Sequence, residues 1–188
     1  MIRAFAAIAL PDAIRTELVR MQASLPVKRP VPEENLHLTL VFLGELAEPL
    51  LEEVHVAFSA LHAPGCDLTL DGLGLFGGRK PRLVHAGLAE SADLRHLQAK
   101  VEQAARGAGV VVEHRRFIPH VTLAYLDPAR IDCDRLERAV AGGAAFRAGP
   151  FPVTGFGLYR SDRGHGGARY TELARYPLSA SFRGSTVP

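Results

Sequence analysis

The sequence has few cysteines, no long apolar segment and almost no excess of charge of either sign. Its two cysteines, Cys66 and Cys133, exclude a disulfide framework and a four-thiolate zinc site. The apolar run over residues 4–10 is too short to cross a bilayer, and no convincing cleavage site follows it. These absences favour a cytoplasmic protein without a membrane partner.

The charges nearly cancel, with 22 lysines and arginines against 20 aspartates and glutamates, for a net charge of +2. The protein is therefore not a bulk polycation, and any binding of nucleic acid must come from a local basic patch. Apolar residues make up 47% of the chain, which argues against disorder. A chain of 188 residues predicts one domain, or two small lobes that share a core.

Apolar spacing predicts seven strands and four helices, because residues alternate with a period of two in some segments and recur every three to four residues in others. The strands are predicted over residues 2–9, 36–43, 67–76, 82–88, 118–126, 152–159 and 168–178. The helices are predicted over residues 12–24 and 49–61, after the N-cap Ser91, and over residues 132–141.

The predicted elements repeat along the chain. The order strand, helix, strand, helix, strand occurs twice, with one extra strand at the end, and residues 37–43 (HLTLVFL) match residues 120–126 (HVTLAYL). An internal duplication usually arranges its copies about a pseudo-twofold axis. We therefore predict a single domain over residues 1–178, built from repeats of about 1–77 and 80–178, whose shared motifs face each other across a central cleft. Residues 179–188 are predicted to be a loose tail.

The two matched segments carry the residues with the clearest chemistry. Residues two apart in a strand share a face, so His37 lies beside Thr39, and His120 beside Thr122, with large apolar residues on the opposite face. One imidazole can donate a proton and the other can accept one near neutral pH. The hydroxyls can donate hydrogen bonds to anionic oxygens. Cleavage of a phosphodiester needs such a set of groups.

A metal centre is the weaker interpretation of these histidines. They supply two ligands, whereas a catalytic zinc usually has three protein ligands, and no carboxylate or third histidine lies at a repeating position. We therefore predict neither a metal nor another cofactor. His85, on a predicted strand, and His165, in a glycine-rich loop, can each reach the cleft, and their roles stay open.

Basic residues flank several predicted strand ends. Ordinary surface solubility explains such residues, but a basic rim around the cleft would suit the phosphate backbone of RNA. The candidates for RNA binding are Arg79, Arg82, Arg115, Arg116 and Arg160.

The paired His-x-Thr motifs and their surroundings resemble the 2H phosphoesterases, and among them the bacterial and archaeal RNA 2′,3′-cyclic phosphodiesterases, also called 2′-5′ RNA ligases. The resemblance covers nearly the whole chain. It implies an α+β fold of two lobes, each an antiparallel sheet backed by helices, with the motifs facing a central groove. The matching blocks are residues 3–7, 34–45, 79–84, 117–123, 158–161 and 170–173.

The resemblance also implies a reaction, the hydrolysis of RNA 2′,3′-cyclic phosphate ends to 2′-phosphomonoesters, together with a reversible 2′-5′ ligation that joins a 2′,3′-cyclic phosphate to a 5′-hydroxyl. His37 matches the proton donor to the leaving 3′ oxygen, His120 the base that activates water, and Thr39 and Thr122 the phosphate-binding hydroxyls. The family often has an arginine at the position of Tyr125, and a tryptophan where this chain has a histidine at position 85. These departures leave two points undecided: which residue makes one of the phosphate contacts, and which residue stacks on the substrate.

Two other functions remain open from the sequence. One is action on small nucleotide cyclic phosphates instead of RNA. The other is non-catalytic binding of RNA or nucleotides on the same fold, against which the presence of both histidines argues. We predict no obligate protein partner.

Overall fold

Eight strands in one antiparallel sheet carry the fold. The structure is a computed structural model that describes residues 1–127, 129–164 and 167–179. A short 3-10 turn, Glu33–Asn35, precedes the second strand. The strands are β1 (Ile2–Ala9), β2 (His37–Leu46), β3 (Cys66–Phe76), β4 (Leu83–Leu88), β5 (His120–Tyr125), β6 (Arg147–Val153), β7 (Gly155–Gly164) and β8 (Gly167–Pro177). The helices are α1 (Asp12–Ser24), α2 (Glu48–Ser59), α3 (Ala92–Gly107) and α4 (Cys133–Gly142).

The strand order β6-β3-β4-β5-β2-β1-β7-β8 divides the sheet into a first half (β2, β1, β7 and β8) and a second half (β6, β3, β4 and β5). They meet between β2 and β5, where the register consists of the pair Leu38–Val121. The predicted α+β class, with antiparallel strands and accompanying helices, is confirmed. The two predicted sheets are joined edge to edge through this central pair.

Each half of the sheet takes strands from both predicted repeats. Strand β3, from the first repeat, pairs with β4 and β6 of the second, while β7 of the second repeat pairs with β1. The short connection between Phe76 and Leu83 explains why β3 pairs with β4 across the repeat boundary, because antiparallel strands joined by a short turn form a hairpin. The repeat boundaries remain a prediction from the sequence, and they do not coincide with the halves of the sheet.

Local sequence signals set most element boundaries. β1 and α1 have the predicted bounds. Ser91 caps α3 by accepting a hydrogen bond from the Leu94 N–H at 3.2 Å. The predicted strand over residues 152–159 is wrong, because the chain breaks at Thr154 into β6 and β7. The sequence pattern does not reveal this break, because buried apolar residues lie on both sides of Thr154.

The core lies on one face of the sheet, against the helices. Leu38, Val121 and Leu123 are fully buried there. The buried Gln22 of α1 joins this layer to β5, because its Nε2 donates hydrogen bonds of 2.8 Å to the carbonyl oxygens of Val31 and Leu123. This side chain satisfies two buried carbonyls at the centre of the fold.

The start of the predicted tail is tied to the domain. The Ser179 N–H donates to the Ala63 carbonyl at 2.9 Å, and the Ser179 carbonyl accepts from the Gly65 N–H at 2.8 Å. The prediction of a loose residue is therefore wrong at Ser179, and residues 180–188 lie outside the described residues. Among the described helices, none combines the length and the apolar character needed to span a membrane.

Candidate active site

The central strand pair brings the two His-x-Thr motifs together. His37 begins β2 and His120 begins β5. Because Leu38 lies opposite Val121 in an antiparallel register, His37 lies beside Thr122 and Thr39 beside His120. Leu38 and Val121 point into the core, so the four polar side chains share the opposite face, which we call the site face.

The ring of His37 is fixed at both nitrogens. Nδ1 lies 2.7 Å from the Asn35 carbonyl oxygen and therefore carries the proton that it donates there. Nε2 lies 3.0 Å from Oγ1 of Thr39. Asn35 is itself buried, and its Nδ2 donates to the Ala168 carbonyl at 2.7 Å, which connects the histidine to β8.

His120 is held in the same way. Its Nδ1 donates to the Ile118 carbonyl oxygen at 2.8 Å, two residues earlier, as His37 does to Asn35. In both rings this bond selects the tautomer whose Nε2 carries no proton and can accept one. The two halves of the sheet thus present equivalent imidazoles.

Burial lowers the pKa of both imidazoles. For His37 the loss of hydration is the largest cause, the bond to the Asn35 carbonyl opposes it, and the positive charge of His120 lowers the pKa further. For His120 burial again lowers the pKa, and the bond to Ile118 opposes it. Both rings are therefore biased toward the neutral form in the free protein.

Aromatic rings enclose His37 on the first half of the site face. Phe5 of β1 lies 4.9 Å from His37, measured between ring centroids, and stacks on Tyr159 of β7 at 5.4 Å and 19°. Tyr170 of β8 approaches the same imidazole edge-on at 5.1 Å. The sequence hypothesis missed these residues, although Phe5 could be found from the alternation of faces along β1.

A matching aromatic pair lies beside His120. Phe76 of β3 stacks on His85 of β4 at 4.1 Å and 19°, and the two rings lie 4.9 and 5.5 Å from the ring of His120. Gly74 makes room for the His85 ring, because a Cβ at this position would come within 2.7 Å of Nε2 of His85. His85 therefore belongs to the site face.

His85 is a neutral member of this cluster. Burial, followed by the charge of His120, lowers its pKa to about 4. Its Nδ1 is buried without a hydrogen-bond partner among the residues that the structure describes, so the proton is best carried by Nε2. His85 thus shields His120 from water without adding a charge.

We expect His85→Ala to raise the pKa of His120, because removing the ring readmits water to the imidazole. His85→Phe retains a ring stacked on Phe76 and should leave that pKa close to its wild-type position. Titration of the histidine ring signals by NMR measures both variants. Equal pKa values of His120 in the alanine variant and in the wild type would show that His85 does not provide this shielding.

Tyr125 connects the two halves above the site. Its side chain is 61% exposed, and it forms a hydrogen bond with Tyr170 that, after burial, contributes to the raised pKa of Tyr170. Since Tyr125 belongs to β5 and Tyr170 to β8, the bond spans from one half of the sheet to the other. His165, the remaining candidate of the cleft, lies outside the described residues.

The basic candidates are only partly brought to the site. Arg79 and Arg82 are exposed around the turn that follows Phe76. Arg160 is not brought there, because it pairs across the strands with Ala4, on the face opposite Phe5, and its guanidinium lies 2.7 Å from Asp162.

Arg115 and Arg116 are exposed in the irregular segment before β5. Arg115 forms an ion pair with Glu113 at 2.7 Å. Arg116 contributes to the lowered pKa of Glu90, after the Arg95 hydrogen bond that is the largest cause. Both arginines have acidic neighbours.

The described residues hold no group of three or more histidine, cysteine, aspartate or glutamate side chains arranged to bind a metal. The chemistry that the site offers from its own side chains is proton transfer by two imidazoles and hydrogen bonding by two hydroxyls.

Comparison with known proteins gives consistent matches along the chain. The family model described as the 2′-5′ RNA ligase superfamily matches residues 10–165. An RNA 2′,3′-cyclic phosphodiesterase of Escherichia coli (strain K12) is 33% identical over 94% of this chain and 97% of its own. Another from Thermus thermophilus is 32% identical over 94% of this chain and 90% of its own. The crystal structure of E. coli LigT complexed with 3′-AMP superposes with a TM-score of 0.77 at 32% identity, over 95% of this chain and 98% of that one.

Proposed function

The chain belongs to the 2′-5′ RNA ligase superfamily, and from this membership we propose that it hydrolyses RNA 2′,3′-cyclic phosphate ends to 2′-phosphomonoesters. The observation that carries the proposal is the pair of His-x-Thr motifs on one face of two adjacent strands. The same groups serve ligation, in which a 5′-hydroxyl takes the place of water, the bond from phosphorus to the 3′ oxygen breaks, and a 2′-5′ linkage forms.

The proposed mechanism assigns one proton transfer to each histidine. Neutral His120 removes a proton from a water molecule as the water oxygen attacks phosphorus. The bond from phosphorus to the 3′ oxygen breaks, and protonated His37 delivers its proton to that oxygen, which leaves the phosphate on the 2′ oxygen. Thr39 and Thr122 donate hydrogen bonds to the non-bridging oxygens as their charge increases.

The lowered pKa of His37 bears on this mechanism. A proton donor must be charged, yet burial favours the neutral ring in the free protein. A bound phosphate anion next to His37 stabilises the charged ring and raises its pKa. Substrate binding therefore prepares the acid that the reaction needs.

Binding of a nucleoside 2′-monophosphate near neutral pH is expected to take up a proton at His37. Calorimetry in buffers of different ionisation enthalpy measures this uptake as a buffer-dependent heat of binding. His37→Asn, which cannot be protonated, should lose most of the buffer dependence. A heat that is independent of the buffer in the wild type would contradict the proposed coupling.

Hydrolysis should survive thorough chelation, because the acid, the base and the phosphate donors are all side chains. The test is product analysis on a short RNA ending in a 2′,3′-cyclic phosphate, with and without EDTA. Formation of the 2′-phosphomonoester at an unchanged rate supports the proposal. Loss of activity with EDTA, restored by a divalent ion, would overturn the metal-independent mechanism.

The same assay separates the other candidate functions. A non-catalytic binding module would leave the RNA end intact, and an enzyme for small nucleotides would favour a mononucleoside cyclic phosphate. A cytoplasmic location stays a prediction from the sequence.

A further inference from the structure

A row of small residues leads away from His37 across the first half of the sheet. Ala9 of β1 pairs with His37 and Ala7 pairs with Thr39. On β7, the next strand, Gly157 pairs with Ala7, and Gly155 lies two residues before it. Cross-strand partners share a face, so these residues lie on the site face beside the imidazole. We call this row, from Ala9 to Arg175 of β8, the trough.

The trough has one fixed aromatic wall. Ala9, Gly155 and Gly157 line a cavity of about 680 Å³. Tyr159 forms the wall, because its ring lies where a Cβ of Gly157 would be, at 2.6 Å. Its hydroxyl donates to Glu172 at 2.8 Å, which holds the ring in place. An immobilised ring in the wall of a cavity is a surface on which a base can stack.

The positively charged side chain of Arg175 lies at the far end of the trough. Arg175 pairs across the strands with Gly157 and also lines the cavity. Its guanidinium forms two hydrogen bonds with Glu172, at 3.0 and 2.7 Å, but its side chain is 63% exposed. An exposed ion pair of this kind contributes little free energy, so a phosphate can compete with the carboxylate for the guanidinium.

The length of the trough indicates what it holds. Arg175 lies in the cross-strand row of Thr39, three strand spacings of about 4.8 Å away, roughly 14 Å in all. A mononucleoside cyclic phosphate carries its only phosphate at the histidines, so it brings no second anion to Arg175. A longer RNA strand does bring one.

We propose that the trough binds the RNA strand upstream of the cyclic phosphate, with Arg175 contacting an upstream phosphate. This inference rests on the proposed function and adds that the preferred substrate is an oligonucleotide end. A second guanidinium of the cavity wall, that of Arg15, donates to the Leu10 carbonyl at 2.7 Å and to Asp12 at 2.6 Å, and the side chain is only 28% exposed. The side chain of Arg175 is 63% exposed, so Arg175 is the cation that we assign to the strand.

The test compares a mononucleoside 2′,3′-cyclic phosphate with a trinucleotide that ends in the same group. Arg175→Gln should lower kcat/KM on the trinucleotide about tenfold, the size of one lost charge-assisted hydrogen bond, and the loss should be confined to that substrate. The salt dependence on the trinucleotide should become shallower by about one phosphate contact. The matched control is Arg135→Gln, which removes an exposed arginine of α4 and should change neither substrate.

Glu172→Gln provides a test in the opposite direction. It releases Arg175 from its carboxylate, while the amide oxygen can still accept the Tyr159 hydroxyl, so kcat/KM on the trinucleotide should rise. Equal effects of either variant on both substrates, or no effect on either, would overturn the trough assignment. If the wild type turned over neither substrate, the proposed function would fail. Affinity for a trinucleotide ending in a 2′-phosphate would then decide the trough, and equal affinity of wild type and Arg175→Gln would reject it.

Discussion

Replacing either imidazole by alanine is expected to lower kcat by at least the ~10²–10⁴-fold that general acid–base catalysis contributes. His37→Ala removes the proton donor, and His120→Ala removes the base. The double variant should be little worse than either single one, because groups that act as a unit are far from additive. Steady-state rates on an RNA ending in a cyclic phosphate measure all three variants.

The threonines provide the matched comparison. Thr39→Ala or Thr122→Ala removes one phosphate donor and leaves both proton transfers in place. Each should therefore cost less than the loss of a histidine. A threonine variant slower than both histidine variants would mean that hydrogen bonding to the phosphate outweighs proton transfer.

An activated leaving group at the 3′ position distinguishes the two histidines. Such a group departs without a proton, so it should largely restore the rate of His37→Ala and leave His120→Ala inactive. Rescue of His120→Ala alone would reverse the two roles. Rescue of neither variant would refute acid catalysis by His37.

Phe58→Ala should destabilise the protein by about 3–5 kcal/mol, the cost of truncating a buried phenylalanine. Phe58 of α2 is fully buried, and its ring contacts Phe156 of β7 and Tyr176 of β8 edge-on at 5.4 and 5.5 Å. The substitution leaves a cavity between the helix and the first half of the sheet. Urea denaturation followed by circular dichroism measures the free energy of unfolding.

Val56→Ala in the same helix is the control, because Val56 is 56% exposed. It should change the free energy of unfolding by well under half as much, since little apolar surface is removed from the interior. Similar losses in the two variants would contradict the packing explanation, because alanine favours a helix more than phenylalanine or valine does.

The sequence predicts the elements that depend on local pattern. The bounds of β1 and α1 follow from residue periodicity, and the histidine motifs follow from alternation along β2 and β5. The catalytic roles of His37 and His120 remain predictions that the variants above test.

What the sequence could not predict depends on contacts between distant strands. The stacking of Phe76 on His85, and the room that Gly74 leaves for it, arise from the pairing of β3 with β4. The basic character of Arg160 and its place at a predicted strand end suggest a position near the cleft, but alternation along β7 sends it to the other face. Most of strand β6 escapes prediction because Gly149 and its neighbouring prolines obscure the pattern.

The exchange of strands between the predicted repeats has a consequence for dissecting the protein. A fragment ending near residue 77 would contain β3 but neither of its neighbours, since β4 and β6 come from later in the chain. It would also leave β1 without β7 and β2 without β5, so all three strands would present open edges to other molecules. The acid and the base therefore cannot be obtained as two autonomous modules. Splitting the gene between them should give insoluble pieces that become active only when both fold together.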